Sequence, residues 1–303
     1  MINADFKLNA DDIAFYKKTG FLKLRKFFTP ESINYMAGLC KPAVSKPASN
    51  YGSGFSRLKY DIGNDDDQIL DLCSNKIFSE TMKALTDEDL FFTQGLGFEL
   101  EKNKSTGFPW HVGTQSFGFQ RLEDYGCTIW TPLCNIDSAG QRGGMAYVPK
   151  DRLSGGFIYQ HINLVTDLLK EKQGKGQDLS FTDFNKIKND VLNTGGFKEI
   201  LDQNGIEDDF EIGDALIFDK FVLHRSIPLG EGSNPSRLAY ALRFSSVDAR
   251  YDAYRVHQLE YPRSIFDYHV ASNFNDDVCQ QDGQKVFESS YFDGSRERRR
   301  LSI

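Results

Sequence analysis

The chain has 303 residues, 40% of them hydrophobic and 13% aromatic, which is enough to bury a core and excludes a disordered protein. Its 36 Lys and Arg residues against 43 Asp and Glu residues give a net charge of −7, which argues against nucleic acids and anionic membranes as partners. The sequence contains no apolar run of membrane-spanning length and does not begin with a signal-peptide pattern, so we expect a cytoplasmic protein.

The N-terminal region, residues 1–90, is predicted to be helical with long loops. Asn9 has the position of an N-cap for a first helix that Gly20 ends, and Thr29-Pro30 has the N-cap and first-turn proline pattern of a second helix. Residues 46–67 are rich in Gly, Ser, Asn and Asp and are predicted to form a surface loop.

From residue 91 the apolar pattern changes to short segments separated by turn residues, which is typical of an antiparallel sandwich or barrel. Residues 155–208 interrupt these strands with helical patterning, and such an insertion commonly serves as a lid. We therefore expect one mainly β domain over residues 1–303 with flanking helices, a helical lid insertion and a C-terminal segment at 251–303. Core strands are predicted within 91–150 and 209–250, at 91–101, 110–120, 125–136, 145–149, 210–212, 215–223 and 238–247. The arginine-rich run at 296–300 is predicted to be a solvated tail.

Two histidines lie near predicted strand ends. His111 precedes Gly113 by two positions, so a regular strand would put both on one face, and His224 follows another apolar run. Either histidine alone would be interpreted as an ordinary hydrogen-bonded residue. Together with the arginines that follow, Arg237 and Arg243, they form the pattern that an iron site with an anchored dicarboxylate needs. The remaining histidines are predicted to be surface or packing residues: His161, His257 and His269.

These motifs, with Trp130 and the Gly143-Gly144 turn ahead of segment 145–149, resemble the phytanoyl-CoA dioxygenase-like branch of the iron(II)/2-oxoglutarate-dependent oxygenases. The resemblance implies a double-stranded β-helix, the jelly-roll or cupin-like fold. In this family the first motif is His-x-Asp or His-x-Glu, so that two imidazoles and one carboxylate hold one face of the iron.

The carboxylate position of that motif is Gly113, which has no side-chain ligand. Asp219, Glu123 and Asp124 are alternative acids, and none is a convincing replacement. Either the domain binds no iron, or an exogenous anion completes the site. The second outcome is similar to the iron/2-oxoglutarate halogenases, in which the aspartate position is Ala or Gly and chloride binds the iron. Among these, the chain looks most like the halogenase domain of curacin-type polyketide synthases.

This resemblance implies an O₂-dependent halogenase that chlorinates an unactivated aliphatic carbon. Its implied substrate is an acyl group, 3-hydroxy-3-methylglutaryl, carried by an acyl carrier protein of a polyketide synthase. The implied cofactors are iron(II), 2-oxoglutarate and chloride. The implied roles are iron ligands for His111 and His224 and chloride binding for Gly113. Arg243 is assigned to chloride binding, through water, or to a substrate carboxylate. Arg237 is expected to pair with the distal carboxylate of 2-oxoglutarate, and the 2-oxoglutarate pocket is expected to be lined by Trp130, Gln94 and Thr128.

Two other functions stay open at this point. One is a hydroxylase of the same superfamily, with water or an unidentified carboxylate at the vacant position. The other is a non-catalytic binding module on a jelly roll, and the presence of both histidines and of Arg237 counts against it.

Overall fold

The computed structural model describes residues 1–47, 54–177, 179–267 and 272–302. The strands in these ranges are β1 (Phe21–Leu24), β2 (Arg57–Tyr60), β3 (Leu90–Glu101), β4 (Gly126–Pro132), β5 (Met145–Val148), β6 (Ile206–Glu207), β7 (Ala215–Asp219), β8 (Leu223–Ser226) and β9 (Ser236–Ser246). The helices are α1 (Ala10–Thr19), α2 (Pro30–Ala43), α3 (Asp67–Cys73), α4 (Lys76–Thr86), α5 (Gly156–Gly174), α6 (Phe181–Asn193), α7 (Gly195–Asn204), α8 (Ala253–Phe266), α9 (Phe274–Asp277) and α10 (Arg296–Arg299), with 3₁₀ turns at Val286–Glu288 and Ser290–Phe292. No helix in the described ranges is long and apolar enough to cross a bilayer.

The described strands form two antiparallel sheets. One has the order β1-β7-β4-β9-β3-β2 and the other β6-β5-β8. Successive residues of β4 point to opposite faces of the sheet and belong to different core clusters. Ile129 packs in a cluster with Phe78 of α4, and Trp130 packs in a cluster with Ala241 of β9 and Tyr147 of β5. The large sheet is therefore covered by the N-terminal helices on one face and meets the small sheet on the other. This is the predicted jelly roll with flanking helices.

The insertion between β5 and β6 is helical, as predicted, and consists of α5, α6 and α7. Ser180 caps α6 through a reciprocal capping box with Asp183. Helix α5 packs on α8, where the Thr166 hydroxyl donates to the Gln258 carbonyl at 2.8 Å. The insertion is thus attached to the C-terminal segment as well as to the sheets.

A turn at Asp219 splits the predicted strand 215–223 in two. Asp219 ends β7, its carboxylate accepts the Phe221 N–H at 2.8 Å, and its carbonyl accepts the Val222 N–H at 3.2 Å. The chain therefore passes from the large sheet into the small sheet as β8. This crossing brings His224 opposite His111, and the two exchange backbone hydrogen bonds of 2.9 and 3.0 Å.

The predicted strand at 110–120 is wrong apart from two isolated bridges, between His111 and His224 and between Gln120 and Tyr251. The Thr114 N–H donates to the Val112 carbonyl at 2.8 Å, and the Phe117 N–H donates to the Gly113 carbonyl at 2.9 Å. These turn bonds use the backbone groups that a ladder would need.

The predicted strand 210–212 is also wrong, since it is reduced to a bridge between Phe210 and Ile136. The Glu211 N–H donates to the Asp214 carboxylate at 3.1 Å, and the Asp214 N–H donates to the Glu211 carbonyl at 3.0 Å. This local turn replaces strand pairing at that point. The predicted loop 46–67 contains β2, and its residues 48–53 lie outside the described ranges.

The arginine-rich run at 296–300 is not a solvated tail. Arg299 is 2% exposed, and its guanidinium donates to backbone carbonyls that include those of Phe92 and Thr93. Its neighbour Arg298 pairs with Asp67 at 2.7 Å and with Asp71 at 3.0 Å. The run therefore binds to α3 through ion pairs and to β3 through hydrogen bonds.

Candidate active site

His111 and His224 bring their imidazoles together, with ring centroids 4.1 Å apart. In each ring Nδ1 lies against a backbone carbonyl two residues earlier, that of Pro109 at 2.7 Å and that of Val222 at 2.8 Å. A carbonyl at this position makes Nδ1 the protonated nitrogen, so Nε2 carries the lone pair in both rings. Metal-binding histidines are usually supported in this way. The pair therefore fits two ligands of one metal ion.

Both imidazoles are neutral at neutral pH. Burial, with a smaller contribution from the positive charge of Arg243, lowers the pKa of His111 to about 4. Burial, followed by the charge of His111, holds the pKa of His224 well below its ordinary value. Because metals bind the neutral imidazole, the two side chains need not lose a proton before coordination.

No acidic side chain joins this pair. Across the part of the chain that the structure describes, no group of three His, Cys, Asp or Glu residues could hold a metal. The Asp219 carboxylate pairs with Lys150. The Asp124 carboxylate accepts the Arg250 N–H at 2.7 Å, and Glu123 is exposed. A metal at this site would therefore need its anionic ligands from outside the described protein residues.

The space beside Gly113 is not empty. A Cβ added at Gly113 would lie 2.7 Å from Cδ2 of Phe117 and 3.2 Å from Cβ of Lys220. The glycine backbone lines the cavity described below, and Phe117 is folded back against it by the Gly113–Phe117 turn. The ring of Phe117 therefore occupies the direction that a side chain at Gly113 would take.

A cavity of about 650 Å³ lies against the histidine pair, within the size range of small-molecule sites. Helices α5 and α6 of the insertion contribute to its wall, so the insertion covers the site. Of the residues predicted from the sequence, six line this cavity: His111, Gly113, Thr128, Trp130, His224 and Arg243.

Arg243 supplies positive charge beside the histidines. It lies on β9 opposite Thr128 of β4, and one of its terminal nitrogens donates to the side-chain oxygen of Gln94 at 2.7 Å. Gln94 in turn donates to Asp61 at 2.8 Å and to Ser272 at 3.0 Å. Gln94 does not line the cavity, so its predicted contact with a cosubstrate has no support here, and its side chain instead orients Arg243.

Arg237 is fully buried and incompletely paired. Its Nε donates to the Gly143 carbonyl at 2.5 Å, while both terminal nitrogens lack a hydrogen-bond partner. Its guanidinium carbon lies 5.4 Å from the ring centroid of Phe98 and 5.7 Å from that of Trp130, and the Trp130 indole N–H also lacks a partner. Burial lowers the pKa of Arg237 to about 10. Arg237 does not itself line the cavity, but it lies beside Trp130, which does. Three orphaned donors beside the cavity fit a carboxylate ligand, and 2-oxoglutarate provides one.

Arg237 and Arg243 occupy the same face of β9 with only Ala239 and Ala241 between them. The two residues are six positions apart on the strand, so their Cα atoms are separated by about 20 Å. Ala241 and Arg243 line the cavity, whereas Arg237 and Ala239 are fully buried outside its lining. Arg243 is the arginine closer to the histidines, because its charge, and not that of Arg237, lowers the pKa of both imidazoles.

The cavity is cationic. Among the described residues that line it, Lys188, Lys220 and Arg243 are basic and none is Asp or Glu, although the chain has 43 acidic residues. The two lysines were missed from the sequence. Lys188 lies one helical turn from the buried residues Phe184 and Leu192, and this break in an apolar stripe is the signal that could have revealed it.

The other histidines have varied positions. His257 is exposed on α8, as predicted. His161 of α5 lines the cavity, which a surface or packing interpretation does not anticipate. His269 lies outside the described residues.

Comparison with solved structures finds this fold in non-haem iron/2-oxoglutarate-dependent enzymes. The α-ketoglutarate-dependent carbocyclase SnoK from nogalamycin biosynthesis has a TM-score of 0.60 at 14% identity, over 81% of this chain and 87% of SnoK. The epimerase SnoN, in complex with Fe³⁺, α-ketoglutarate and nogalamycin RO, has a TM-score of 0.54 at 14% identity, over 80% of this chain and 86% of SnoN. EvdO2 from Micromonospora carbonacea var. aurantiaca, complexed with 2-oxoglutarate, has a TM-score of 0.53 at 17% identity, over 84% of this chain and 95% of EvdO2. No protein-family model and no curated protein sequence matches the chain. The chain therefore shares the jelly-roll fold of these neighbours.

Proposed function

We propose that the protein is an iron(II)/2-oxoglutarate-dependent halogenase that chlorinates an unactivated aliphatic carbon of an acyl group on an acyl carrier protein. The observation that carries the proposal is the pair of neutral imidazoles, His111 and His224, beside a cationic cavity with Gly113 at the position of the usual carboxylate. Two neutral protein ligands leave the metal with an uncompensated charge, which favours added anions at the remaining positions.

The residues of the chain have separate tasks in this proposal. The Pro109 and Val222 carbonyls fix the ring orientation of the two ligands. Arg237 and the Trp130 N–H hold the distal carboxylate of 2-oxoglutarate, and Arg243, oriented by Gln94, supplies positive charge for chloride. Iron with 2-oxoglutarate and O₂ supplies the oxidising power for hydrogen abstraction from an unactivated carbon.

The insertion keeps water away from this chemistry. Asn193, the last residue of α6, accepts the Trp110 N–H at 2.9 Å and donates to the Trp110 carbonyl at 3.1 Å. The Trp110 indole N–H donates to Asp202 of α7 at 2.9 Å. Since Trp110 precedes His111, the insertion is attached directly to the segment that carries one proposed ligand. A helical cover over one side of the cavity favours exclusion of water from the site.

The experiment starts from metal-free protein under nitrogen. Addition of iron(II) and 2-oxoglutarate is expected to give the visible metal-to-ligand charge-transfer band of a chelated 2-oxoacid. His111→Ala and His224→Ala are expected to abolish the band, and His257→Ala, which removes an exposed histidine of α8, is expected to leave it unchanged. Absence of the band from the wild-type protein would favour the non-catalytic binding module.

The product then decides between halogenation and hydroxylation. A carrier protein loaded with 3-hydroxy-3-methylglutaryl is supplied together with O₂, in buffers with and without chloride. Replacement of one hydrogen by chlorine in the product mass supports the proposal. A gain of one oxygen in the presence of saturating chloride would identify the protein as a hydroxylase.

A further inference from the structure

Lys188 occupies a position on α6 that an apolar residue would normally fill. Phe184, one turn before it, and Leu192, one turn after it, are both buried. Residues four apart lie on the same face of a helix, so Lys188 belongs to the inward stripe of α6, and it lines the cavity. A half-buried lysine that faces a cavity has a desolvation cost that a leucine there would not have.

The ammonium group of Lys188 has no acidic partner in the described part of the chain. Other lysines of the insertion pair with acids one turn away, as Lys175 does with Glu171 at 2.5 Å and Lys198 with Asp202. The positions three and four residues from Lys188 are Phe184, Asn185, Val191 and Leu192, and none can neutralise it. Its nearest aromatic ring, that of Phe184, has its centroid 6.0 Å from Nζ.

The charged residue that acts on Lys188 is another cation, Arg263, whose guanidinium is paired with Asp276 at 2.9 Å. The charge of Arg263, on α8, acts on Lys188, and the charge of Lys188 acts on His111. Lys220, another lysine of the cavity lining, differs because its Nζ donates to the Arg121 carbonyl at 2.8 Å and lies 4.7 Å from the ring centroid of Tyr159. Among the described residues, Lys188 is therefore the cavity lysine with neither a hydrogen-bond acceptor nor an acidic partner.

We infer that Lys188 binds an anionic group of the substrate, through carboxylate or phosphate oxygens, and that the substrate class of this protein is anionic. This inference rests on the proposed function. 2-Oxoglutarate and chloride are assigned to the strand side of the cavity, at Arg237 and Arg243, which leaves the helix side for the third reactant. A carboxylate at the far end of the acyl group and the phosphate of a phosphopantetheine arm are two sources of the same chemistry.

Contact with α6 would make substrate recognition and closure of the site a single event. Helix α6 carries Lys188 on its cavity face and Asn193, which holds the Trp110 backbone, at its end. An anion at Lys188 compensates its partly desolvated charge and so stabilises α6 in its position over the cavity. A substrate without the anion would bind without that gain.

Three thioester probes separate the possible outcomes by calorimetric titration. Butyryl-N-acetylcysteamine has no charge, glutaryl-N-acetylcysteamine has a carboxylate, and butyryl-phosphopantetheine has a phosphate. Binding is measured to the protein loaded with nickel(II) and 2-oxoglutarate, which cannot turn over, and to the metal-free protein. Product formation is not part of the readout, so the result is independent of whether chlorine is transferred.

The wild-type protein is expected to bind one of the two anionic probes about 10- to 100-fold more tightly than the uncharged probe, as a charge-assisted hydrogen bond provides. Preference for the glutaryl probe assigns the anion to the acyl group, and preference for the phosphopantetheine probe assigns it to the carrier arm. Lys188→Gln and Lys188→Met are expected to lose the preference, and Lys188→Arg is expected to keep most of it. Lys186→Gln, on the exposed face of the same helix, is the matched control and is expected to keep all of it.

Two results would overturn the inference. One is a wild-type protein with no preference for either anionic probe, and the other is an unchanged preference in Lys188→Gln and Lys188→Met. Both variants remove a half-buried charge and are expected to fold at least as stably as the wild type, which thermal unfolding checks. If the preference depends on Lys188 but no chlorinated product forms, the inference stands and the proposed halogenase activity fails.

Discussion

Replacement of Arg237 by methionine tests the 2-oxoglutarate site through protein stability. The guanidinium of Arg237 is fully buried, and both its terminal nitrogens lack partners. Without a ligand this side chain has a desolvated charge that only the Gly143 carbonyl and two aromatic rings compensate. Arg237→Met is therefore expected to stabilise the ligand-free protein and to remove its stabilisation by 2-oxoglutarate.

The size of the effect follows from the pKa of Arg237. Burial lowers it from 12.5 to about 10, and at 1.4 kcal/mol per pKa unit this corresponds to about 3 kcal/mol. Because a base with a lowered pKa is penalised when charged, the cost is present in full below pH 10, including pH 7, and disappears as the pH rises towards 12.5. Loss of the contacts with the Phe98 and Trp130 rings offsets about 1 kcal/mol. The expected net gain is about 2 kcal/mol, or about 4 °C in Tm for a domain of this size.

The assay is thermal unfolding with and without nickel(II) and 2-oxoglutarate. At a ligand concentration of about 100 times Kd, the wild type should gain about 2.7 kcal/mol, and Arg237→Met should gain little. Arg255→Met is the matched control, because Arg255 is equally buried but has the Tyr159 carbonyl and Asp252 as partners. That variant is expected to be destabilised and to keep the ligand-dependent gain. A destabilised Arg237→Met that keeps the full gain would refute the reasoning.

Three further substitutions test other contacts. Gly113→Ala is expected to lower the free energy of unfolding by about 1 to 3 kcal/mol, because its Cβ would lie 2.7 Å from Phe117. Phe117→Leu should recover part of this loss, and additive effects in the double-mutant cycle would contradict the packing. Asn193→Leu removes both hydrogen bonds to the Trp110 backbone and is expected to weaken nickel(II) binding in calorimetry, whereas unchanged nickel affinity would show that the insertion does not position His111. Arg299→Met leaves buried carbonyls without a donor and is expected to cost about 1 to 3 kcal/mol in urea unfolding, a loss that a solvated tail would not show.

The sequence was sufficient for the features that depend on local pattern. Segments 91–101 and 145–149 match β3 and β5, because each has β-type residues between clear turns. The two histidines could be singled out from motif spacing, and the structure brings them within one cavity. The helical nature of 155–208 was also readable from its periodicity.

Features that depend on turns and on distant partners could not be predicted. The splitting of 215–223 results from the Asp219 side chain, which accepts a backbone hydrogen bond and turns the chain into another sheet. The position of Phe117 against Gly113 depends on a local turn that alternation of apolar residues does not reveal. The burial of Arg299 requires carbonyls from β3, about two hundred positions earlier in the chain.

The central claim is that a halide, and no protein carboxylate, completes the coordination of iron at His111 and His224. The most direct measurement is an anaerobic crystal structure of the protein with iron(II), 2-oxoglutarate and bromide, with anomalous data collected at the bromine absorption edge. We predict a bromide peak in contact with an iron that the two imidazoles ligate. An Asp or Glu oxygen bonded to iron, with no halide beside it, would contradict the account.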